Sequence, residues 1–385
     1  MQLIYGIITM SNEIFIKKAL SLAARGKGRT SPNPLVGAVV VKRGRIIAAD
    51  YHKKAGSPHA EALALEKAGK QAKGSTLYVN LEPCCHTEKR TPPCTKSIIR
   101  SGVRKVVVAM IDPNPKVSGM GLAELRRAGI KTEAGVMEKE AIKLNEVFIK
   151  FITKKEPFTF LKIAQSLDGR IATASGDSKW ITGEKARAYV HKLRNEVDAV
   201  LVGVNTVTKD DPSLDCRIKG GRNPYRIIVD SRLRIPLDAK VLKHDDGKTI
   251  IAAVQLHENS KSVIRNANVD RDYRKKIDRL NDLGVRVLTI KEKDGMVDLK
   301  RLVKELGRLH ITSLMIEGGS SVNASALSAG IVDKVMIFTA PKIIGGLDSI
   351  PSIGGRSPVL LKRAFQIKNL KVKKIAEDIL IEGYI

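Results

Sequence analysis

With 385 residues, 43% hydrophobic and 28% charged, the chain is long enough for two packed domains and excludes both a disulfide-stapled miniprotein and a disordered polymer. The net charge of +28 raises nucleic acid or an anionic membrane as a partner, yet the surplus is even: 26 basic against 12 acidic residues in positions 1–150, and 42 against 28 beyond. With no basic block and no apolar run near the ~18 residues of a membrane span, a cytoplasmic protein is expected, without nucleic-acid or membrane partners, its charge reflecting a generally basic proteome or phosphorylated substrates.

Helix and strand periods alternate along the first part. Met10 is an alternative start to Met1, just ahead of a helical run over Asn12–Arg25. Leu35–Val41 and Arg45–Ala49 read as strands about a Lys42-Arg43-Gly44 turn, His59–Ala72 as an alanine-rich helix and Thr76–Leu81 as a strand. A helix is expected to open near Pro92 or Pro93, since proline suits a first helical turn; Arg104–Met110 is the next strand, and Gly121–Ala128 and Glu138–Ile152 are helical. Thr153–Pro157 reads as a linker into a second α/β series. Its strands are Phe158–Ala164, Ala199–Val202, Arg226–Val229, Thr249–Ala253, Val285–Ile290, Ser313–Ile316 and Lys334–Thr339, and its helices Gly183–Asn195, Val297–Leu309 and Ser321–Ala329. Such alternation places helices over a sheet.

Chemistry concentrates first around His59-Ala60-Glu61, which opens a helix, and Pro83-Cys84, which follows a strand. The four cysteines, Cys84, Cys85, Cys94 and Cys216, are too few and too clustered for a disulfide framework and suit a metal. A zinc deaminase needs three nitrogen or sulfur ligands and one open position where water is made nucleophilic, together with a carboxylate that does not bind the metal. Glu61, two residues beyond the histidine in the first helical turn, can move protons from that water to the leaving amino group. Singly, these residues are ordinary: a helix-end histidine, an acidic first turn, buried small thiols. Their joint order favours zinc.

Ser31-Pro32-Asn33-Pro34-Leu35-Val36-Gly37, the stretch His52 to His59-Ala60-Glu61, and Glu82-Pro83-Cys84-Cys85-His86 ending Thr91-Pro92-Pro93-Cys94 together resemble the deaminase domain of the bifunctional riboflavin-biosynthesis deaminase/reductase family. Cytidine and tRNA adenosine deaminases carry the two cysteines as C-x-x-C; here Cys84 and Cys94 are ten apart. The resemblance implies a cytidine-deaminase-like α/β/α domain with a mixed sheet over residues 10–150, zinc on His59, Cys84 and Cys94, Glu61 as catalytic proton donor, and Asn33 and His52 at the substrate. The family loop is one residue shorter and carries a glycine and a serine where this chain has Cys85; the extra residue is expected among Thr87–Lys89.

In the second half, Phe160 to Ala172 sets a strand against a turn carrying Lys162 and Asp168, Ser178-Lys179-Trp180 precedes a helix bearing Arg194, and Asp210-Asp211-Pro212-Ser213-Leu214 leads to Arg217. Glu317-Gly318-Gly319-Ser320-Ser321 follows a strand and opens a helix, where glycines let backbone N–H groups approach a phosphate. These segments, in this order, resemble the family's reductase domain, over residues 157–385. That implies a dihydrofolate-reductase-like α/β fold using NADPH. It places the cofactor on Ala164, Trp180, Thr206, Asp210, Ser231, Gly319, Ser320, Ser321, Val322, Asn323, Ala324 and Ser325, and the substrate on Lys162, Ser178, Arg194, Leu214, Arg217 and Glu317. Leu237–Gly284 resembles the family least. A homo-oligomer acting on a phosphorylated pyrimidine is expected. A nucleic-acid-editing deaminase, the main rival, predicts C-x-x-C spacing and stacking aromatics, which are only 4% here. A non-catalytic zinc module has no use for Glu61.

Overall fold

The structure, a computed structural model, describes residues 2–87, 92–255 and 267–385. Glu88 and Lys89, where the longer cysteine loop was expected to absorb its extra residue, lie outside the described residues, as do positions 256–266 of the least familiar region. The chain divides into two compact units, residues 1–155 and 156–385.

In the first unit the elements are α1 (Gln2–Ala23), β1 (Gly37–Lys42), β2 (Arg45–Tyr51), α2 (Ala60–Ala68), β3 (Thr76–Val79), α3 (Cys94–Ser101), β4 (Lys105–Val108), α4 (Met120–Arg127), β5 (Lys131–Ala134), α5 (Glu138–Leu144) and α6 (Glu146–Lys154). The sheet runs β2-β1-β3-β4-β5, antiparallel through β3 and parallel from β3 to β5, so it is mixed as expected. Val39, Val40, Leu77, Val106 and Val107 are fully buried in it. Gly37 lets a helix approach: a Cβ there would stand 2.1 Å from the Ala19 carbonyl oxygen, so α1 packs backbone against backbone on β1.

The expected helix over Glu138–Ile152 is two helices. It breaks at Asn145, whose side chain accepts from the Leu35 amide at 2.8 Å and donates to the Leu35 carbonyl at 3.1 Å. The linker over Thr153–Pro157 is also shorter than expected, because α6 continues through Lys154 and the next strand begins at Phe158.

The second unit comprises β6 (Phe158–Gln165), β7 (Arg170–Ala172), α7 (Glu184–Glu196), β8 (Ala199–Gly203), α8 (Val204–Asp210), β9 (Tyr225–Val229), β10 (Thr249–Val254), α9 (Ala267–Asp282), β11 (Arg286–Ile290), β12 (Glu292–Lys293), β13 (Met296–Val297), α10 (Leu299–Arg308), β14 (Ser313–Ile316), α11 (Ser320–Ser328), β15 (Lys334–Thr339), β16 (Ile350–Pro351), β17 (Lys368–Ile375) and β18 (Asp378–Tyr384). The main sheet runs β11-β10-β9-β8-β14-β6-β15-β18-β17, parallel from β11 to β15 and closed by the antiparallel β18 and β17. Parallel strands between helix layers bury both faces, and one apolar cluster forms on each. The strands β8, β9, β14 and β6 therefore end side by side at one edge, where ligands of open α/β sheets bind.

Candidate active sites

Two helix N-termini converge in the first unit. His59 is the N-cap of α2, and Cys94 is the first residue of α3, buried at 2% exposure. The Cys84 carbonyl accepts from the Thr95 amide at 3.3 Å, tying the loop after β3 to the start of α3. His59 Nδ1 lies 3.2 Å from Cys94 Sγ and 3.5 Å from Cys84 Sγ, and the three ligand atoms fall within 4.8 Å of one another. Tetrahedral zinc with Zn–S of about 2.3 Å and Zn–N of about 2.0 Å separates sulfur from nitrogen by about 3.5 Å. The donor set and its spacing thus fit zinc. Cys85 turns elsewhere: its Sγ is 3.9 Å from the Lys116 carbonyl, and burial, then Glu124 and Glu82, push its thiol pKa up.

Glu61 is 3% exposed, and its Oε2 has no hydrogen-bond partner. Burial raises its pKa against the opposing pull of His59. A buried carboxylate with an uncommitted oxygen, two residues beyond His59 in the first turn of α2, can take and return a proton. His52 stands edge-on to His59 with ring centroids 5.4 Å apart. Its Nδ1 lies 3.2 Å from the Pro58 carbonyl and so donates, which leaves Nε2 to accept from the Asn33 amide at 3.2 Å. Asn33 and His52 are therefore brought beside the triad. Behind them, Asn80 donates to the Leu35 carbonyl at 2.9 Å and accepts from the Gly37 amide at 2.7 Å, holding the Asn33–Gly37 segment.

Glu82 was passed over in the sequence. Its carboxylate accepts from the amides of Asp112, Gly119 and Leu122 at 3.1, 2.9 and 3.0 Å, so it caps α4 and anchors the Cys84 loop. A Cβ on Gly121 would lie 2.1 Å from the Pro83 carbonyl oxygen, so the same loop requires glycine opposite it.

The second unit holds two groups of expected residues. Ile316 pairs with Leu161 across β14 and β6, which sets Glu317, just beyond the end of β14, beside Lys162 within β6. Glu317 accepts from Arg194 Nε at 2.7 Å and from its terminal nitrogen at 3.1 Å, with Lys162 Nζ at 3.5 Å. Despite burial, Arg194 and then Lys162 bring the Glu317 pKa down to about 2. Arg194 also donates to the Asp215 carbonyl at 3.1 Å, and Asp215 pairs with the exposed Arg217. His191, three residues before Arg194 on α7, was not expected; burial, Arg194 and Arg217 lower its pKa.

The other group lines a cavity of about 490 Å³ at the ends of β8, β9 and β14. Thr206, Asp210, Ser231, Gly319, Ser320, Ser321 and Val322 are there, as is Ser178, expected at the substrate. A Cβ on Gly319 would meet only Thr206 Oγ1 at 3.6 Å, an opening that suits a cofactor phosphate at the α11 N-terminus.

Residues 157–381 match the RibD C-terminal domain, and residues 10–110 match the cytidine and deoxycytidylate deaminase zinc-binding region. The chain is 47% identical over 368 residues to the riboflavin biosynthesis protein RibD of Aquifex aeolicus (strain VF5), covering 95% of this chain and 96% of that one. It belongs to the RibD family. The Escherichia coli (strain K12) RibD is 38% identical over 96% of this chain and 98% of its own. Among solved structures, Acinetobacter baumannii RibD superposes with a TM-score of 0.85 at 36% identity, covering 98% of this chain and 99% of that one. A Thermotoga maritima diaminohydroxyphosphoribosylaminopyrimidine deaminase/5-amino-6-(5-phosphoribosylamino)uracil reductase does so at 0.82 and 38%, with the same coverage. A RibD protein carries a zinc-dependent deaminase and an NADPH-dependent reductase, the two chemistries that the metal triad and the cavity fit.

Some expected residues of the RibD reductase stand away from the cavity. Ala164, Trp180, Asn323, Ala324 and Ser325 do not line it. Only the first turn of α11 faces the cavity; Asn323 turns inward and donates to the Ser352 carbonyl at 2.8 Å, and Ser325 is exposed. Trp180 is 62% exposed beneath the Arg187 guanidinium, 4.7 Å from its ring centroid. Leu214 is a core residue at 3% exposure and does not line the cavity.

Proposed function

We propose that this chain catalyses two consecutive steps of riboflavin synthesis, with deamination assigned to residues 10–150 and reduction to residues 157–385. The observation that carries the reading is the His59, Cys84 and Cys94 triad with the buried Glu61 carboxylate beside it, whose Oε2 has no hydrogen-bond partner. Zinc, when bound, supplies a nucleophile from water near neutral pH, and NADPH supplies hydride. Glu61 takes a proton from the attacking water and returns it to the departing amino group of diaminohydroxyphosphoribosylaminopyrimidine. Asn33 and His52, already fixed by their mutual hydrogen bond, orient the pyrimidine. In the second unit Lys162, Arg194, Arg217 and Glu317 position 5-amino-6-(5-phosphoribosylamino)uracil so that its ribosyl anomeric carbon receives hydride and the sugar opens to ribityl. Arg194 spends its donors on Glu317 and the Asp215 carbonyl and so orients the site, whereas the Lys162 ammonium keeps donors for the sugar. The enzyme works in the cytoplasm as a homo-oligomer on small phosphorylated pyrimidines.

The test is Glu61→Gln. Zinc per chain should stay at the wild-type value while ammonia release falls by about three orders of magnitude or more, since only proton transfer is removed. Reduction of pre-deaminated substrate should persist. Wild-type-like deamination by this variant, or ammonia release from tRNA or single-stranded DNA in place of the pyrimidine, refutes the reading.

A further inference from the structure

Asp168, carried by the turn after β6, has no part in the chemistry proposed above. It does not line the cavity, and as an exposed carboxylate it could be satisfied by water alone. Three protein donors nevertheless converge on it. Its Oδ1 accepts from Ser166 Oγ at 2.6 Å and from the Ile344 amide at 3.1 Å, and its Oδ2 accepts from the Gly345 amide at 2.8 Å. Bonds to an ionised acceptor are the strong ones, and these, that of Ser166 foremost, hold the carboxyl well below the usual carboxylate range. The group therefore stays charged near neutral pH. What it fixes is the placement of two segments that are 176 and 177 residues apart along the chain.

The nearer segment is closed on itself. The Ser166 amide donates to the Arg170 carbonyl and the Arg170 amide donates to Ser166 Oγ, both at 2.9 Å, and the turn leads straight into β7. The farther segment leaves β15, where the Lys342 carbonyl accepts from the Leu167 amide at 2.7 Å, and runs on to β16. There Ile350 pairs with Ala172 and Pro351 with Arg170, and the Ser352 amide donates to the Gly169 carbonyl at 2.9 Å. Beyond β16 it reaches α11. The Gly354 amide donates to the Ser320 carbonyl at 3.1 Å, and a Cβ on Gly354 would stand 2.6 Å from Ser320 Oγ.

The strands β7 and β16 are three and two residues long and form a sheet of their own. A two-stranded ribbon is marginal by itself in water, so this one takes its place from whatever anchors it. It is also a wall of the cavity: Ile171, Ala172 and Ile350 line it, with Ser178 from the segment that follows β7. One anchor is the contact with Ser320, and the other is the clasp at Asp168.

We infer that Asp168 is a positioning residue for the reductase: its carboxylate clasps the segment after β15 to the turn between β6 and β7, and so sets the ribbon wall against which the dinucleotide is held. The inference rests on the proposed reductase function and adds a residue that acts on it from outside the cavity.

The experiment measures kcat and KM for NADPH with pre-deaminated substrate on the full-length protein, beside ammonia release and zinc content. In Asp168→Ala the wall loses one anchor while Lys162, Arg194 and Glu317 keep their mutual bonds. KM for NADPH should rise about tenfold and kcat should stay within about threefold of wild type, the pattern of lost binding shared by ground and transition states. Asp168→Asn keeps one acceptor oxygen and should recover part of the loss. Zinc content and ammonia release should match wild type in both variants. A merely structural role would lower kcat with the fraction of folded enzyme and leave KM unmoved; that result overturns the inference, as does a wild-type KM in the alanine variant. A rise in KM accompanied by an equal loss of ammonia release overturns it as well, because the damage would then be general. A wild type that oxidises no NADPH with the pre-deaminated substrate overturns the reductase reading itself.

Discussion

The adjacent thiols of Cys84 and Cys85 show how much the direction of one side chain decides. Cys84 Sγ points to His59 Nδ1, whereas Cys85 Sγ points to the Lys116 carbonyl. Cys85→Ser should therefore keep about one zinc per chain and most deaminase activity, while Cys84→Ser or Cys94→Ser should lose both, two protein ligands being too few to hold the ion. Metal analysis of the purified variants checks this; zinc lost from the Cys85 variant and kept by the Cys94 variant would reverse the assignment. Gly318 and Gly319 form a similar contrast. A Cβ on Gly318 would lie 2.6 Å from Val322 Cγ1, and one on Gly319 would enter the cavity. Gly318→Ala should lower stability by about 1–3 kcal/mol through overpacking. Gly319→Val should leave the melting temperature nearly unchanged and weaken NADPH binding about tenfold or more, by blocking backbone approach to the phosphate. Calorimetry and cofactor titration separate the two effects.

At the scale of elements, residues whose chemistry is local were legible, and those defined by distant partners were not. His59, Glu61, Cys84 and Cys94 carry their spacing in the sequence because two helix starts and one loop build the site. Glu82 gave no such sign, since its three partners lie 30 to 40 residues onward. Asn145 sits within a continuous helical pattern, and only its bonds to Leu35 explain the break. The hairpin of β17 and β18 was missed because β17 is an exposed edge strand, its alternation hidden by lysines that also deter edge-to-edge pairing. The end of β14 gives a pH prediction. Glu317 has a folded pKa of about 2 against an ordinary 4.5, so its contribution to stability is complete above about pH 4.5 and fades as pH falls towards about 2. Glu317→Gln should cost about 3 kcal/mol at pH 7, because Arg194 is left buried without its counter-charge. In acid titrations followed by fluorescence of Trp180, the sole tryptophan, the stability gap between wild type and variant should narrow across that window. A gap that stays constant from pH 5 to 2 would show that the carboxylate's charge does not matter.

On the scale of the whole chain, each apolar cluster among the described residues is drawn from one unit. One is drawn from residues 15 to 149 of the first unit, and the other three from residues 160 to 380 of the second. The metal triad lies wholly within the first set of elements, and the cavity wholly within the second. Energy that zinc adds to the His59, Cys84 and Cys94 loop should therefore stabilise α2, α3 and the strands beneath them. Removing zinc with a chelator should abolish ammonia release and lower the melting transition of the first unit by several degrees. NADPH-dependent reduction of pre-deaminated substrate should stay within about twofold of the untreated enzyme. Restoring zinc should recover deamination in proportion to metal bound, since the ligands are set by helix starts that persist without it. If reduction collapses in step with deamination, the two activities share elements that these separate cores do not reveal, and the assignment of one reaction to each unit fails.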